Sequence, residues 1–180
     1  VYTHKATVDL CKIMLEDAGY LNEKEAEWEN RKRKRKGLKL VAPLYSQKEA
    51  RMSFPHFIGL DYNEKTEILE GAKVMLRDAG HILGSAIIEL ELSQGATRKK
   101  IVFSGDLGHR RAPILRDPEV VKRADFVVME STYGDRLHRS WEETWKEIEE
   151  VILGASHNKG NILIPAFTVG RTQLILHIFA

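Results

Sequence analysis

A chain of 180 residues that is 43% hydrophobic and 30% charged has the balance of a globular protein, either one ordinary domain or a piece of a larger one. No apolar run is long enough to span a bilayer and no signal peptide stands at Val1, so neither a membrane nor secretion is indicated, and the setting expected is cytoplasmic. Net charge is only +2, from 28 basic and 26 acidic residues, so overall charge gives no general nucleic-acid footprint.

Val1–Thr3 reads as the tail of a strand, and Ala6–Ala18 as an amphipathic helix with Val8, Cys11, Leu15 and Ala18 on one face. Thr3 or Thr7 is placed to cap it and Gly19 to end it. Cys11, the one cysteine, excludes an internal disulfide and fits a reducing compartment. Asn22–Lys36 is also helical in pattern but polar nearly all round, with Trp28 its large apolar anchor. It ends in the unbroken basic run Arg31-Lys32-Arg33-Lys34-Arg35-Lys36, which has three readings: a solvated helix face, a phosphate-binding surface, or a nuclear-import signal.

Ser46–Phe54 predicts a short helix stopped at Pro55, followed by an extended segment over Ile58–Tyr62 and a strand over Thr66–Leu69. Ala72–Asp78 alternates with the period of a half-buried strand and breaks at Gly80, leaving His81 at the mouth of a turn in Gly80-His81-Ile82-Leu83-Gly84-Ser85. Ala86–Leu92 is the next strand, with Ile88, Leu90 and Leu92 on one face and Glu89 and Glu91 on the other. A turn over Ser93–Thr97 returns into Lys100–Phe103, which delivers Ser104-Gly105-Asp106-Leu107-Gly108. Strands of these lengths, at about 3.3 Å per residue, can bring His81 and Asp106 to one rim of a sheet. His109–Pro118 is a charged, Pro-containing loop, and Asp125–Glu130 a fully apolar strand of the kind buried on both faces, carrying Glu130 at its end. Ser140–Leu153 is a helix whose Trp141, Thr144, Trp145, Ile148 and Ile152 form a core stripe, with a base-stacking tryptophan pair as the less favoured reading. Asn161–Ile164 reads as a strand, and a helix begins near Gly170. There Arg171 and Thr168 could hold a phosphate at the helix N-terminus, with a structural ion pair as the equal alternative for Arg171. Alternating strands and helices make the class α/β.

Taken in order, GHILGS at 80–85, SGDLG at 104–108 and Glu130-Ser131-Thr132-Tyr133-Gly134-Asp135 resemble three motifs of the metallo-β-lactamase fold in its nucleic-acid-processing β-CASP branch. The likeness extends to Ala6–Leu10 and to Ile164–Gln173. It implies a partial αββα sandwich, with residues 1–160 the C-terminal part of the first metallo-β-lactamase half plus connecting elements, and 161–180 the beginning of the β-CASP domain. By resemblance His81 and Asp106 are metal positions, Asp106 bridging two zinc ions, while Glu130 orients a histidine that protonates the leaving oxygen. The acid at 130 is Glu, as in the RNA-cleaving members.

Zinc ions in such a site lower the pKa of a shared water and neutralise charge on the phosphoryl oxygens, which is what phosphodiester hydrolysis needs. The family's His-x-His-x-Asp-His cradle is absent from this chain. The expectation is therefore a fragment, unable by itself to hold a zinc pair and inactive, whose parent cleaves RNA by a metal-bound hydroxide and could form a homodimer. The rivals are a non-catalytic RNA-binding or scaffold relative and a hydrolase of a small ester or thioester, the latter disfavoured by Glu130–Gly134. Among the remaining histidines, His56 reads as structural or exposed, and His4 and His109 adjoin segments expected at the rim.

Overall fold

The computed structural model describes residues 1–180, which form two compact units, Val1–Met129 and Glu130–Ala180. The first is a mixed α/β unit. Its β1 (Tyr2–His4) runs directly into α1 (Lys5–Arg35), a helix of 31 residues and so about 46 Å long. The helix does not stop at Gly19. A Cβ there would lie 2.8 Å from the backbone nitrogen of Gln47, so glycine is what lets the next helix, α2 (Gln47–Ser53), approach α1 this closely. Packing has overridden the local tendency of glycine to end a helix.

α2 begins in a capping box: Ser46 Oγ accepts from the Glu49 N–H at 3.2 Å, and Glu49 Oε2 accepts from the Ser46 N–H at 2.8 Å. It is tied to α1 by Arg51 Nε donating to Glu16 at 2.9 Å and by Gln47 Nε2 donating to Glu23 at 3.2 Å. Pro55 then sits in a single 3₁₀ turn, and β2 (Ile58–Leu60) pairs in parallel with β1.

The main sheet has the order β3 (Thr66–Leu69), β4 (Ala72–Asp78), β5 (Ala86–Gln94), β6 (Thr97–Phe103), β7 (Phe126–Val128). Its first four strands form an antiparallel meander, and β7 adds in parallel to β6. Directly paired residues share a face. On one face Val74 and Leu76 are buried under Leu60 and Tyr62, but further across the sheet the cover is lost. Ile88, Phe103, Phe126 and Val128 on that face are 37–57% exposed. On the opposite face Ala79, Ile87 and Val102 pack against Leu107 and Val121.

One expectation is corrected here. β7 is not buried on both faces: it is the edge strand, and all three of its residues are more than half exposed. On the acidic face of β5, Glu89 is 1% exposed, enclosed by Arg77 from β4 and Lys100 from β6, while Ile88 and Leu92 on the other face remain partly open.

The second unit holds α3 (Trp141–His157) and α4 (Arg171–Ile178). Ser140 and Glu143 form a capping box at the start of α3. The indoles of Trp141 and Trp145 stack with centroids 6.0 Å apart, and Trp145, Ile148 and Ile152 line a shallow depression with Ile178 and Phe179 of α4. The stripe does not form the buried core expected of it: no residue of α3 is fully buried, and Trp145 is 38% exposed. No strand forms over Asn161–Ile164. An apolar run becomes a strand only with a paired neighbour, and none is provided there. No helix is long and apolar enough to cross a membrane.

Candidate functional site

Two loops meet at the edge of the main sheet where β4 and β6 end and β5 begins. The first, Ala79–Ser85, is a tight turn organised by its own polar groups. Asp78 Oδ1 accepts from the Gly80 N–H at 2.8 Å, and Ser85 Oγ accepts from the N–H groups of His81 and Ile82 at 3.1 and 3.2 Å. Gly80 and Gly84 both have positive φ, at 64° and 84°. The second loop leaves β6 through buried Ser104 and turns at Gly105, φ 56°.

What joins them is Gly108. Its N–H donates to Ala79 O at 2.8 Å, and a Cβ at this position would fall 1.7 Å from Gly80 O. The second loop therefore lies directly on the peptide that precedes His81. The result is that His81 Nε2 and Asp106 Oδ2, 25 positions apart in sequence, stand 3.8 Å apart with both side chains open to solvent.

The His81 loop is held from two further directions. Thr7 Oγ1, in the first turn of α1, donates to Gly84 O at 2.8 Å, and the absence of a side chain at 84 allows that approach. Tyr62 Oη donates to Ser85 O at 2.8 Å, and burial pushes the Tyr62 hydroxyl up to about 12.

His4 does not serve as a rim ligand. Its Nδ1 accepts from the Ala6 N–H at 3.2 Å, so His4, rather than Thr3 or Thr7, is the N-cap of α1, and its ring stacks on Tyr62 at 3.8 Å. Burial lowers its pKa from the ordinary 6.5, against the pull of Asp61 and Asp78. The unfolded chain then binds the proton more readily than the folded one, so this contribution is intact above pH 6.5 and is lost as pH falls below it. His4→Asn keeps a capping acceptor without a titration. It should lose less stability than the natural chain between pH 7 and 5 in urea melts; identical acid profiles would refute the assignment. His109 is exposed, with Nδ1 2.7 Å from Arg110 O. His56 is exposed as well, and its carbonyl accepts from the Val1 nitrogen at 2.6 Å.

β7 is in register with β6, Val128 beside Phe103, so both strands finish at this edge, and the chain continues through Met129 into Glu130. Glu130 opens the second unit, ahead of a turn in which the Gly134 N–H donates to Ser131 O at 3.0 Å. Also in the second unit, the start of α4 is less open to an anion than its sequence suggests. Gln173 Oε1 accepts from the Gly170 N–H at 2.7 Å, and the Arg171 and Thr172 N–H groups donate to Val169 O and Phe167 O. Thr168 contributes its carbonyl to Gln173 Nε2 at 3.0 Å, which leaves the exposed Arg171 side chain as the group available to a phosphate.

His81 and Asp106 suit one zinc ion as part of its ligand set. Imidazole nitrogen and carboxylate oxygen are ordinary zinc donors, and two of them at roughly 2.1 Å from a tetrahedral ion stand about 3.4 Å apart, close to the 3.8 Å seen. No group of three or more His, Cys, Asp or Glu side chains is gathered closely enough to hold a metal ion.

The chain is 35% identical over 179 residues to Ribonuclease TTHA0252 of Thermus thermophilus, a match covering 99% of this chain and 36% of that protein. It is 33% identical over 180 residues to Transcription termination factor FttA of Methanococcus maripaludis, covering 98% of this chain and 26% of the relative. With RNase aCSPSF2 of Saccharolobus solfataricus the identity is 31% over 138 residues, 76% of this chain and 27% of the other. The chain thus spans only about a quarter to a third of the length of these curated relatives. No family model matches it.

Proposed function

We propose that this chain is a central piece of a longer, cytoplasmic metallo-β-lactamase-fold hydrolase of the β-CASP branch, which cleaves RNA phosphodiester bonds with zinc. The observation that carries the proposal is the approach of His81 to Asp106 on two loops interlocked through Gly108. The similarity to proteins named as ribonucleases supports the substrate class. The apolar residues left open on one sheet face, Ile88, Phe103, Phe126 and Val128, are what an αββα sandwich would cover with its second sheet.

In this reading His81 Nε2 and the Asp106 carboxylate hold metal, and further ligands come from outside this chain. Bound zinc supplies an acidified water and charge neutralisation at the phosphoryl oxygens. Glu130 positions a histidine that protonates the leaving oxygen, and Arg171 contacts RNA. Because two donors alone cannot close a zinc site, the 180 residues by themselves are expected to be inactive.

The test is Asp106→Ala in the full-length protein, read by zinc content and by cleavage of labelled RNA. Both should fall to background; undiminished metal-dependent cleavage would dispose of the assignment. The rival reading is a non-catalytic RNA-binding scaffold. A His-x-His-x-Asp-His segment encoded before Val1 decides for the enzyme, and its absence for the scaffold.

A further inference from the structure

We propose that the basic end of α1, Arg31–Lys36 together with Trp28, is a second RNA-binding surface, an electrostatic collar remote from the rim. The proposal rests on RNA as the substrate class and adds a place where RNA is gripped.

Five consecutive cations in the last turns of the helix, Arg31–Arg35, at 100° per residue, point in every direction around its axis, and Lys36 follows as the C-cap, so the helix end is positive on all sides. Only Arg33 is tied back to oxygens of the chain, since its guanidinium lies 3.5 Å from Glu29 and donates through Nε to Lys39 O. Arg31, Lys32, Lys34, Arg35 and Lys36 are exposed and make no ion pair with a carboxylate. The helix dipole favours positive charge in the last turn, but one or two cations are enough to exploit it. Five more repel one another, a cost that a polyanion removes.

The surface is also firm and carries an aromatic. Asn30 exchanges two hydrogen bonds of 2.8 Å with the backbone of Val41, strapping the following segment against the helix. Trp28 is 58% exposed with Lys32 Nζ 3.3 Å from its ring centre, a pairing of aromatic face and cation that suits a base beside its phosphate.

Position adds a consequence. Thr7, near the opposite end of α1, touches the His81 loop. Arg31 follows it by 24 residues on one continuous helix, so collar and rim are about 36 Å apart. A strand engaged at both would run roughly ten stacked nucleotides, at about 3.4 Å each.

The experiment measures binding of a fluorescein-labelled single-stranded 20-nucleotide RNA by anisotropy across a potassium chloride series, without any cleavage. The variant carries R31Q, K32Q, K34Q, R35Q and K36Q; a control of equal charge change carries K48Q, R98Q, K122Q, K146Q and K159Q. Glutamine keeps helix propensity, and circular dichroism checks the fold. The collar variant should bind at least tenfold more weakly near 0.1 M salt, with the slope of log K against log salt reduced by about 3, at about 0.7 per phosphate contact. The control should keep most of both. Equal losses in the two variants, or none in the collar variant, would overturn the proposal, as would tighter binding to phosphatidylserine vesicles than to RNA. Collar-dependent binding by a full-length protein that cleaves nothing would uphold this inference while refuting the hydrolase reading.

Discussion

Gly108→Ala is expected to destabilise the first unit by at least about 3 kcal/mol, the upper end of what overpacking costs, and to part His81 from Asp106. The added methyl would sit 1.7 Å from Gly80 O, 2.1 Å from Gly80 C and 2.8 Å from His81 N. All three are backbone atoms of a turn already fixed by Asp78, Ser85, Thr7 and Tyr62, so no flexible side chain can swing aside to relieve the clash. One loop must lift off the other, and with it goes the Gly108 N–H to Ala79 O hydrogen bond. Gly105→Ala is the matched control. Its Cβ would meet nothing nearer than Ala86 O at 3.4 Å, leaving only the strain of φ 56°, about 1 kcal/mol. Urea denaturation gives the two costs, and amide NMR shifts over residues 79–85 and 104–109 report the separation. In the full-length protein Gly108→Ala should also lose zinc. A Gly108→Ala chain as stable as Gly105→Ala, with unshifted amides in the His81 turn, would mean that the loops are not docked in this way.

Most of what places the rim is legible in the residues. The period-2 alternation over 72–78 and 86–92 and the apolar run at 100–103 mark three sheet strands, and the small-residue breaks at Gly80 and Gly105 mark the two loops that follow them. The departures share a cause: burial depends on what lies opposite, which one stretch of sequence does not specify. Phe126-Val127-Val128-Met129 has the composition of a central strand yet forms an exposed edge. Ile162-Leu163-Ile164 has the same composition and finds no strand to pair with. Gly19 looks like a helix stop until α2 is known to lie against it. Glu89 alternates with apolar neighbours and so reads as part of a polar face. Its burial follows only once the two-residue turn at Gly95-Ala96 sets Gln94 beside Thr97, a register that puts Lys100 on the same face as Glu89 and Arg77. The second glycine of the SGDLG segment carries a usable signal, since glycine in a loop marks a place where backbones meet.

Glu89→Gln is expected to cost about 3 kcal/mol, near the lower end for unpairing a buried ion cluster because Arg77 and Lys100 keep about a quarter of their side-chain surface in water. The change preserves shape and deletes only charge, leaving two cations on the central strands without their shared counterion. Burial alone raises the carboxyl pKa, but hydrogen bonds from Arg77 and Lys100 outweigh it and hold Glu89 below the ordinary 4.5. The stabilisation is therefore complete above pH 4.5 and fades as pH falls through the lower folded value, so the natural chain should weaken on acidification while Glu89→Gln lacks that component. The link to the site is register. Glu89 lies on β5, which starts just after the His81 loop, and it clasps β4 on one side and β6, which ends just before Asp106, on the other. A slip of one residue would turn every side chain of β5 to the opposite face and displace the rim. Hydrogen exchange of the β5 amides should accordingly quicken in Glu89→Gln. Replacing Arg77, Glu89 and Lys100 together by Met should recover most of the lost stability, because the penalty comes from unpaired charge and not from absent polarity. If the single change costs no more than a surface substitution, about 0.5 kcal/mol, while the acid profile stays as before, the strands must be held in register by their apolar pairs alone.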